Sequence, residues 1–562
     1  MANDQPMTFL ERYAGDSIQQ ERRITALFLT LTLGFGLTQV WVCRYHMDPD
    51  SMDYLDIARE LALGHWSAIA NGYWGTLDSL LMAPLFRFRL SPEMELSLAH
   101  LEQILVLVFA FFSFRFFLIA TLDSVNLDID KTVWLGLPKW GLRALGYTLF
   151  MWSSLILILV SGIGADLLVS AFVYLAAALL CRLRRDSSLV RFIVFGLTLG
   201  LGYWSKAIMF PISLAFFAAS MLKLRSWKKN LSSILSFAIV AAPLVAALSV
   251  PRGRFTFGDS GKLAYSTLVS PGGRVINWQG DPAASGVPKH STRRIAVDPP
   301  IYEFSGPIGG TYPPTYDPSY WNEGRRTTFS LWNQFRLSKY SAERLGEILL
   351  SEPSLIVGFV FLLLWSPRRF ALNLAERWDV ITISVAIIAL YMLVLVESRY
   401  VAPFVVLVWF SLFLCLRHPG DLGSQRIAGW GVVALAMMMQ LSFVSNMAKT
   451  VVKGCPDSVE NHFEVARKLA LPPGTRVAVI GYGNWSYWAH FAKVKIVADI
   501  MPPDDSFFWT LPEERRQTLY AAFRMTGAER LIGQPPTVLA KALDSRWKQV
   551  GATEYYVYSL NP

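Results

Sequence analysis

Charged residues are scarce in this 562-residue chain, which holds only 17% Asp, Glu, Lys and Arg against 53% hydrophobic and 14% aromatic residues. Such a composition excludes an ordinary soluble enzyme and is typical of a polytopic membrane protein. The net charge is +10, but no groove of interleaved basic and aromatic residues accompanies it, so nucleic-acid binding is not predicted. The sequence also shows no internal repeats, which many transporters have.

Cysteine is also rare, with four residues: Cys43, Cys181, Cys415 and Cys455. They show no CxxC or other metal-ligand spacing, which argues against a cysteine metal site. Only Cys43 and Cys455 are expected on the outer side of the membrane, and no disulfide is predicted between them. The first 23 residues are polar and an apolar run of spanning length follows, so an uncleaved anchor is expected instead of a signal peptide.

Eleven apolar runs of about membrane-spanning length recur along the chain, each closed by a basic cluster or a short polar turn. A membrane helix needs about 20 apolar residues, or about 17 at the shortest. The runs lie at about residues 24–42, 101–121, 143–160, 165–181, 189–204, 207–222, 231–249, 352–366, 378–396, 400–416 and 428–446. We therefore predict an α-helical membrane protein with about eleven transmembrane helices.

Basic clusters orient these helices, because short loops rich in Lys and Arg stay in the cytoplasm. With eleven spans the main clusters all fall on one side: Arg22 and Arg23, Arg182 to Arg185, Lys223 to Lys229, Arg368 and Arg369, and Arg417 to Arg426. The first outer loop (43–100), the long outer loop (250–350) and the C-terminal segment (448–562) are then predicted on the non-cytoplasmic side.

Carboxylates concentrate in one run, MDPDSMDYLDIARELALGHW from Met47 to Trp66, directly after the first apolar segment. Its apolar residues recur at helical spacing, which predicts an amphipathic helix along the membrane surface. If this helix begins near Asp50, then Asp50, Asp53 and Tyr54 share one face. Helix capping explains one of the four aspartates. A site that uses a carboxylate as base or ligand is the alternative, and both interpretations stay open.

Charged residues also stand at three later outer turns, between apolar segments. Asp166 lies at the mouth of one span, Lys206 lies between two spans, and the turn VESRYVAPF carries Glu397 and Arg399. A helix cap, a snorkelling lysine and a structural Glu/Arg pair would account for them separately. A shared polar pocket facing the acidic helix, with a guanidinium that binds phosphate, accounts for them together and is favoured.

Aromatic residues follow the acidic helix in the stretch HWSAIANGYWGTLDSLLMAPLFRF. Trp66 is interpreted as an anchor at the level of the lipid headgroups. Tyr73 and Trp74 either anchor the chain in the same way or stack on a sugar ring, and the sequence does not decide between these roles.

The long outer loop is rich in Pro, Gly, Tyr and Trp, most of all in GPIGGTYPPTYDPSYWNEG (306–324). Its prolines stiffen the chain, and its aromatic rings, Tyr312 and Tyr320 among them, offer flat faces for sugars or lipid tails. We predict that residues 301–324 fold over the acidic helix as a lid. The alternative is a loop that docks the C-terminal segment. His290 lacks a partner at metal spacing and is interpreted as a solvated surface residue.

The C-terminal segment has the pattern of a small soluble α/β domain. Strands are predicted in TRVAVIGYG (475–483), KVKIVADI (493–500), ERLIG (529–533) and TEYYVYSL (553–560), with a helix in LPEERRQTLYAAFRMTG (511–527). Gly481 and Gly483 begin a dinucleotide-like motif, but Ser486 replaces its third glycine, so a nucleotide site is not predicted.

Several short motifs together resemble the GT-C class of membrane glycosyltransferases, which includes lipid A aminoarabinose transferases and protein O-mannosyltransferases. They are DxxxY from Asp50 to Tyr54, NGYW (71–74), Asp166 at the mouth of a span, and ESRY (397–400). The likeness is nearest to bacterial members with a long outer loop, here GTYPPTYDPSYWNEG, and a small outer C-terminal domain. It implies a GT-C-like membrane domain (1–447) and a periplasmic α/β domain (448–562) in a bacterial inner membrane.

The resemblance also implies an activity, an inverting transfer of a hexosyl or pentosyl group. The donor would be a polyprenyl-phosphate sugar and the acceptor a lipid, glycan or protein on the non-cytoplasmic face. A lipid-linked sugar flippase or transporter is the alternative. Membrane lipids are expected partners and nucleic acid is not, while a divalent metal ion stays an open candidate as cofactor.

The site residues expected on these grounds have three roles. The predicted catalytic residues are Asp50, Asp53 and Asp166; the predicted donor phosphate ligands are Lys206 and Arg399; and the predicted substrate contacts are Tyr54, Tyr73, Trp74, His290, Tyr312, Tyr320 and Glu397.

Overall fold

The structure is a computed structural model that describes residues 18–561, apart from residues 89, 126–133, 271–275, 305, 307–308, 365–369, 371–372, 375–376, 420 and 457. The described chain is mainly helical and ends in a small mixed α/β domain. The predicted basic residues Arg368 and Arg369 lie outside the described residues.

Each of the eleven predicted apolar runs coincides with a helix. These helices are Ile18–Val42, Pro92–Val125, Lys139–Trp152 with its extension Ser153–Ile158, Asp166–Leu183, Leu189–Ser205, Met209–Leu224, Trp227–Arg252, Pro353–Leu364, Trp378–Met392, Ser398–Leu414 and Leu422–Lys453.

Six of the described helices are long and apolar enough to cross a membrane, and a seventh span results if Leu331–Leu350 and Pro353–Leu364, which meet at 75°, are counted together. The remaining four apolar helices are 15 to 17 residues long. The chain is therefore a polytopic helical membrane protein. The count of eleven spans stays a prediction, because four of its members are shorter than the usual length of a membrane helix.

The helix Asp166–Leu183 stands at the centre of the bundle, with sixteen of its 18 residues buried. Its sequence after Asp166 is apolar or small on every face until Arg182, and a helix of that kind is stable only where other helices surround it. The N-terminus of this central helix therefore places Asp166 in the middle of one end of the bundle, within reach of the neighbouring helix ends.

The acidic helix spans Pro49–Ala62. The local sequence explains its start, because the Asp48 side chain accepts the Ser51 N–H at 2.8 Å and Pro49 occupies the first turn. The helix does not lie exposed on the membrane surface as predicted, since every residue from Ser51 to Ala58 is buried. Its apolar face packs against the C-terminal domain, a contact that the sequence pattern alone did not indicate.

The C-terminal domain contains most of a seven-stranded sheet. In chain order the strands of the protein are β1 (Trp134–Gly136), β2 (Arg293–Val297), β3 (Pro300–Glu303), β4 (Arg417–Pro419), β5 (Arg476–Ile480), β6 (Lys495–Ile500), β7 (Arg530–Gly533), β8 (Trp547–Gln549) and β9 (Tyr556–Ser559). The sheet has the order β2-β3-β6-β5-β7-β9-β8, whereas β1 and β4 form a separate pair.

The four strands predicted in the C-terminal segment are present as β5, β6, β7 and β9, and the predicted helix is present as Glu513–Met525. The sheet also includes two strands of the long outer loop, β2 and β3, with β3 antiparallel to β6 through the pairs Tyr302 with Asp499 and Glu303 with Ala498. The loop and the C-terminal domain therefore share one sheet, which the division at residue 447 did not foresee.

The long outer loop carries more regular structure than its composition indicates. It contains the helix Ser260–Leu268, the strands β2 and β3, the short helices Pro313–Tyr316 and Pro318–Trp321, and the helix Leu331–Leu350. Proline at the first position of the two short helices suits those turns, because its fixed φ is compatible with a helix start.

A disulfide joins Cys43 to Cys455, although no disulfide was predicted there. The two cysteines are 412 residues apart in sequence, but the end of Ile18–Val42 and the end of Leu422–Lys453 lie together in the fold. The Val459 N–H donates to the Tyr45 carbonyl at 2.8 Å beside the disulfide. Sequence spacing gave no sign of this meeting, because tertiary packing creates it.

Candidate functional site

Five charged side chains from four parts of the chain meet at the end of the bundle where the acidic helix lies, and we call them the charge cluster. Its members are Asp48, Asp50, Asp166, Lys206 and Arg399. They come from the start of the acidic helix, the first turn of Asp166–Leu183, the link after Leu189–Ser205, and the first turn of Ser398–Leu414. The sequence prediction of a shared polar pocket names four of these residues as site residues.

Arg399 is the hub of the charge cluster. Its Nη2 donates to Asp50 Oδ2 at 2.6 Å, its Nε lies 3.6 Å from Asp166 Oδ2, and its Nη1 lies 3.8 Å from Asp48 Oδ2. Lys206 Nζ donates to the other Asp166 oxygen at 2.6 Å. Arg399 thus pairs with these carboxylates and not with Glu397, its neighbour in sequence.

The Tyr400 ring makes cation–π contacts with both cations, Lys206 and Arg399. Tyr400 was not among the predicted site residues. Lys206 Nζ lies 4.3 Å and the Arg399 guanidinium carbon 5.2 Å from its ring centre. Such contacts are favourable because the face of the ring is electron-rich. The ring in turn stacks on Tyr391. Its position directly after Arg399 in ESRY was the signal that could have identified it.

The Asp48 and Asp50 side chains make different contacts although they are two residues apart. Asp48 caps the helix, as the simpler interpretation proposed, because its Oδ1 accepts both the N–H and the hydroxyl of Ser51. Asp50 makes no cap bond and points at Arg399. Burial and the charge of Asp48 raise the pKa of Asp50 above its usual value, against the lowering effect of Arg399 and Lys206.

Asp53 is buried one turn further along, and it is poorly satisfied. Its Oδ1 accepts the Thr315 hydroxyl at 3.2 Å, while its Oδ2 has no hydrogen-bond partner among the described residues. Burial, reinforced by the negative charges of Asp56 and Asp50, raises the pKa of Asp53 well above its usual value. The raised pKa favours the neutral, protonated form of Asp53.

Three predicted aromatic residues form one group beside the acidic helix. The Tyr54 and Trp74 rings are 5.4 Å apart and the Tyr73 and Trp74 rings 4.7 Å apart. Trp74 is not a membrane anchor here, because its Nε1 donates to the Thr315 carbonyl of the long loop at 2.8 Å. By contrast, Trp66 is largely exposed, as an anchor would be.

Gly75 lets this aromatic stretch pack directly against the link that carries Lys206. A Cβ placed on Gly75 would lie 1.7 Å from the Ser205 carbonyl oxygen, which is far closer than atoms can approach. Only glycine fits this position, so the NGYWG turn is held beside the charge cluster by backbone contact.

The long loop covers the acidic helix between Gly310 and Trp321, and we call this part the cover segment. The Thr311 N–H donates to Asp56 Oδ2 at 2.5 Å, and Thr315 reaches Asp53. Asn71, which follows the acidic helix, donates to the Tyr316 carbonyl at 2.5 Å. The predicted position of this segment over the acidic helix is confirmed.

The cover segment also docks the C-terminal domain, so the two interpretations of the loop are not exclusive. The buried Tyr312 hydroxyl donates to Asp499 Oδ2 at 2.7 Å. A ring held in this way is directed into the C-terminal domain. The substrate contact predicted for Tyr312 therefore stays a prediction that this arrangement does not favour.

Three predicted substrate contacts lie apart from the charge cluster in the described contacts. The His290 ring stacks on Tyr320 at 3.8 Å, and its Nε2 lies 3.0 Å from Glu323 Oε2. Glu397 directly precedes the helix Ser398–Leu414. His290 is half-buried within its own small group, so it is not the freely solvated residue expected from the sequence.

A metal ion does not fit the charge cluster as it stands. No group of three His, Cys, Asp or Glu side chains among the described residues is arranged to hold a metal ion. Arg399 lies between Asp50 and Asp166 and neutralises both. The divalent ion considered from the sequence therefore stays a prediction that the contacts of the charge cluster do not support.

No family model matches the chain, and no curated protein matches it. Among solved structures the chain is similar to ArnT from Cupriavidus metallidurans bound to undecaprenyl phosphate, with TM-score 0.43 and 12% identity over 95% of this chain and 98% of that chain. It is also similar to the Archaeoglobus fulgidus oligosaccharyltransferase tethered to an acceptor peptide, with TM-score 0.42 and 11% identity over 90% and 69% of the two chains.

Proposed function

We propose that this protein is an inverting glycosyltransferase that uses a polyprenyl-phosphate sugar as donor. Its acceptor would be a hydroxyl group of a lipid, glycan or protein on the non-cytoplasmic face, in bacteria the periplasmic face of the inner membrane. The observation that carries the proposal is the charge cluster, in which three carboxylates and two cations converge at the mouth of a helical bundle.

The reaction needs a base at the acceptor and positive charge at the leaving group. The acceptor oxygen forms a bond to the anomeric carbon, the bond from that carbon to the phosphate oxygen breaks, and the lipid phosphate leaves with the electron pair. A carboxylate takes the acceptor proton. Lys206 and Arg399 stabilise the negative charge of the departing phosphate. A single displacement forms no covalent sugar intermediate and inverts the anomeric carbon.

Asp50 is the better candidate for the base. Its contact with Arg399 favours the ionised form, while burial makes that carboxylate more basic than an exposed one. The raised pKa of Asp53 favours its neutral form, which makes Asp53 less suited to accept a proton. Its role would be that of a neutral hydrogen-bond donor to the acceptor, through the carboxyl oxygen that has no described partner.

The donor phosphate would compete with carboxylates for the two cations. Arg399 offers a planar fork suited to phosphate oxygens, and Lys206 offers a point charge near it. Both are held ready by Asp166, which contacts each of them from one carboxylate. A phosphate that displaces Asp50 from Arg399 would free the base at the moment the donor arrives, which suits a site that must not act before it is filled.

The acceptor and sugar would lie beside the aromatic group of Tyr54, Tyr73 and Trp74, since flat rings pack well on the faces of sugars. The cover segment closes this side of the site, because Thr315 contacts both Asp53 and Trp74. Exclusion of water there would protect the reacting sugar from hydrolysis. A hexosyl and a pentosyl donor are both compatible with these contacts.

Purified protein in proteoliposomes tests the proposal. Mass spectrometry should detect released undecaprenyl phosphate and a glycosylated acceptor after addition of lipid-linked sugars extracted from the producing cells. A flippase would instead move the lipid-linked sugar across the bilayer without releasing lipid phosphate. Comparison of envelope glycans and lipid-linked sugars between a deletion strain and its parent would then identify the sugar and the acceptor.

A further inference from the structure

The C-terminal domain reaches the acidic helix through a buried histidine, His490. Its Nδ1 lies 2.7 Å from Asp56 Oδ1, and its Nε2 lies 3.1 Å from Arg59 Nη2. Since Arg59 can only donate, Nε2 must accept, and the proton of a neutral ring stands on Nδ1 and is donated to Asp56. Burial and the charge of Arg59 lower the pKa of His490, which agrees with a neutral ring.

Asp56 connects this histidine to the cover segment. One of its oxygens accepts the His490 Nδ1–H and the Thr311 hydroxyl, and the other accepts the Thr311 N–H at 2.5 Å. A single buried carboxylate is thus shared between the C-terminal domain and the cover segment. Loss of the His490 donor would leave the Asp56 carboxylate free to rotate, and the hydrogen bonds from Thr311 to Asp56 would then be less well fixed.

The cover segment is held to the C-terminal domain at two further points. The Ile496 N–H donates to the Thr311 carbonyl at 2.9 Å, and the Tyr312 hydroxyl donates to Asp499. Both partners belong to β6, the strand that also pairs with β3 of the long loop. These bonds fix the first turn of the cover segment at the place where it crosses the acidic helix.

The same short segment then forms a wall of the site. Four residues after Thr311, Thr315 donates to Asp53 through its hydroxyl and accepts from Trp74 through its carbonyl. The connection therefore runs from His490 through Asp56 and Thr311 to Thr315. It ends on one predicted catalytic residue and one predicted substrate contact.

We propose that the C-terminal domain is a working part of the active site and that its His490 is a positioning residue. Acting through Asp56 and Thr311, His490 holds the cover segment in the position that orients Asp53 and Trp74. The inference rests on the proposed function for its catalytic consequence, whereas the mechanical link between His490 and the cover segment stands independently of any reaction.

Two substitutions at His490 test the link in the full-length, purified protein. His490→Ala removes the donor to Asp56, whereas His490→Asn retains an N–H close to the position of Nδ1. His462→Ala is the matched control, because His462 is a partly buried histidine of the same domain whose ring nitrogen accepts the Trp488 N–H, with no described contact to the cover segment.

Hydrogen exchange followed by mass spectrometry reads the link without any substrate. In His490→Ala we expect faster exchange at residues 310–321 with unchanged protection of β5 and β7. We expect recovery in His490→Asn and no change at residues 310–321 in His462→Ala. In the transfer assay, kcat of His490→Ala should fall about 10- to 100-fold through misplacement of the site wall, with kcat recovering in His490→Asn.

Each result decides one part of the proposal. Unchanged exchange at residues 310–321 in His490→Ala would overturn the link, and faster exchange with a wild-type kcat would overturn the positioning role. A wild-type protein without transfer activity would refute the proposed function, while the exchange data would still decide the link. If His490→Ala fails to fold, Tyr312→Phe removes the bond to Asp499 and keeps the ring, and the same exchange result is required of it.

Discussion

Asp53 and Asp56 stand one turn apart on the acidic helix and are equally buried, with 1% and 3% of their surfaces exposed. Their pKa values nevertheless shift in opposite directions. Burial acts on both, but Asp56 accepts hydrogen bonds from His490 and Thr311 and lies 3.7 Å from the Arg59 guanidinium, and these contacts together lower its pKa. Asp53 accepts one hydroxyl hydrogen bond, and its pKa is raised. Hydrogen bonds and nearby positive charge, and not the depth of burial, therefore decide the direction of each pKa shift.

This contrast divides the acidic helix into two halves. We call the part with Asp50 and Asp53 the proposed catalytic half and the part with Asp56 and Arg59 the structural half. Asp56 and Arg59 face the C-terminal domain and the buried Glu95, where their charges are paired, although Arg59 Nε has no hydrogen-bond partner among the described residues. Asp50 and Asp53 face the mouth of the bundle. The Asp50 carboxylate pairs there with the long side chain of Arg399, and Asp53 Oδ2 has no hydrogen-bond partner among the described residues. Satisfied charges belong to structure, while unsatisfied ones are candidates for chemistry.

The largest expected effect is on the proposed catalytic half. Asp50→Asn should reduce transfer about 10²- to 10⁴-fold, because loss of a general base costs about that much. Donor binding should persist, since Arg399 and Lys206 remain. The comparison variant is Asp53→Asn, which keeps a hydrogen-bond donor at this position and should lose less activity. Transfer rates measured with purified protein check this, and a wild-type rate in Asp50→Asn would place the base elsewhere.

The next effect concerns the cations that face this half. Arg399→Gln and Lys206→Met should each weaken binding of the polyprenyl-phosphate donor by about tenfold or more, since hydrogen bonds to charged groups contribute about 1.5–3 kcal/mol. Acceptor binding should change less.

Titration of donor and acceptor separately in detergent distinguishes the two. Lys229→Met serves as control, because Lys229 contacts Ser187 at the opposite ends of the helices. If both variants bind the donor with wild-type affinity, Lys206 and Arg399 do not bind the donor phosphate and have structural roles instead.

A smaller effect, on stability, belongs to the structural half. Asp56→Asn places an amide N–H group against the donors from Thr311 and His490, so we expect a loss of about 1–3 kcal/mol of unfolding free energy. Asp53→Asn should show no such loss, because it removes a carboxyl group whose ionisation burial disfavours. Thermal denaturation of the two variants in detergent, at neutral pH, compares them directly. Equal losses in both would contradict the division of the helix.

The sequence grouped the residues that meet in the charge cluster but did not indicate the contacts of Asp56, for physical reasons. Asp50, Asp166, Lys206 and Arg399 could be grouped because charge is costly at the end of an apolar helix and is therefore conspicuous there. His490 could not be found, since it lies 434 residues from its partner Asp56. A lone histidine in a hydrophobic stretch carries no pattern that names a distant carboxylate.

The fold shows the same limit. Helices and strands of the membrane and C-terminal parts follow from local periodicity, and most were predicted close to their observed bounds. The Cys43–Cys455 disulfide and the pairing of β3 with β6 depend on which surfaces meet. Neither contact has a local sequence signature, and both join the outer loops to the C-terminal domain.

The last prediction uses pH to separate Asp53 from Asp56. The pKa of Asp53 is raised above its unfolded value of about 3.9, so the folded protein binds the extra proton and the resulting stability is lost as pH rises through the folded pKa. The pKa of Asp56 is lowered, so its stability is present above about pH 4 and is lost as pH falls through the folded pKa.

Thermal denaturation between pH 5 and pH 8 should therefore show Asp53→Asn gaining stability relative to the wild type as pH rises, because the variant no longer has a carboxyl group to ionise. Each unit of pKa shift corresponds to about 1.4 kcal/mol. Over the same range the deficit of Asp56→Asn should stay constant, since Asp56 is ionised throughout. Parallel curves for Asp53→Asn and the wild type would mean that Asp53 is already charged at pH 5, and the contrast between the two halves would then fail at its central residue.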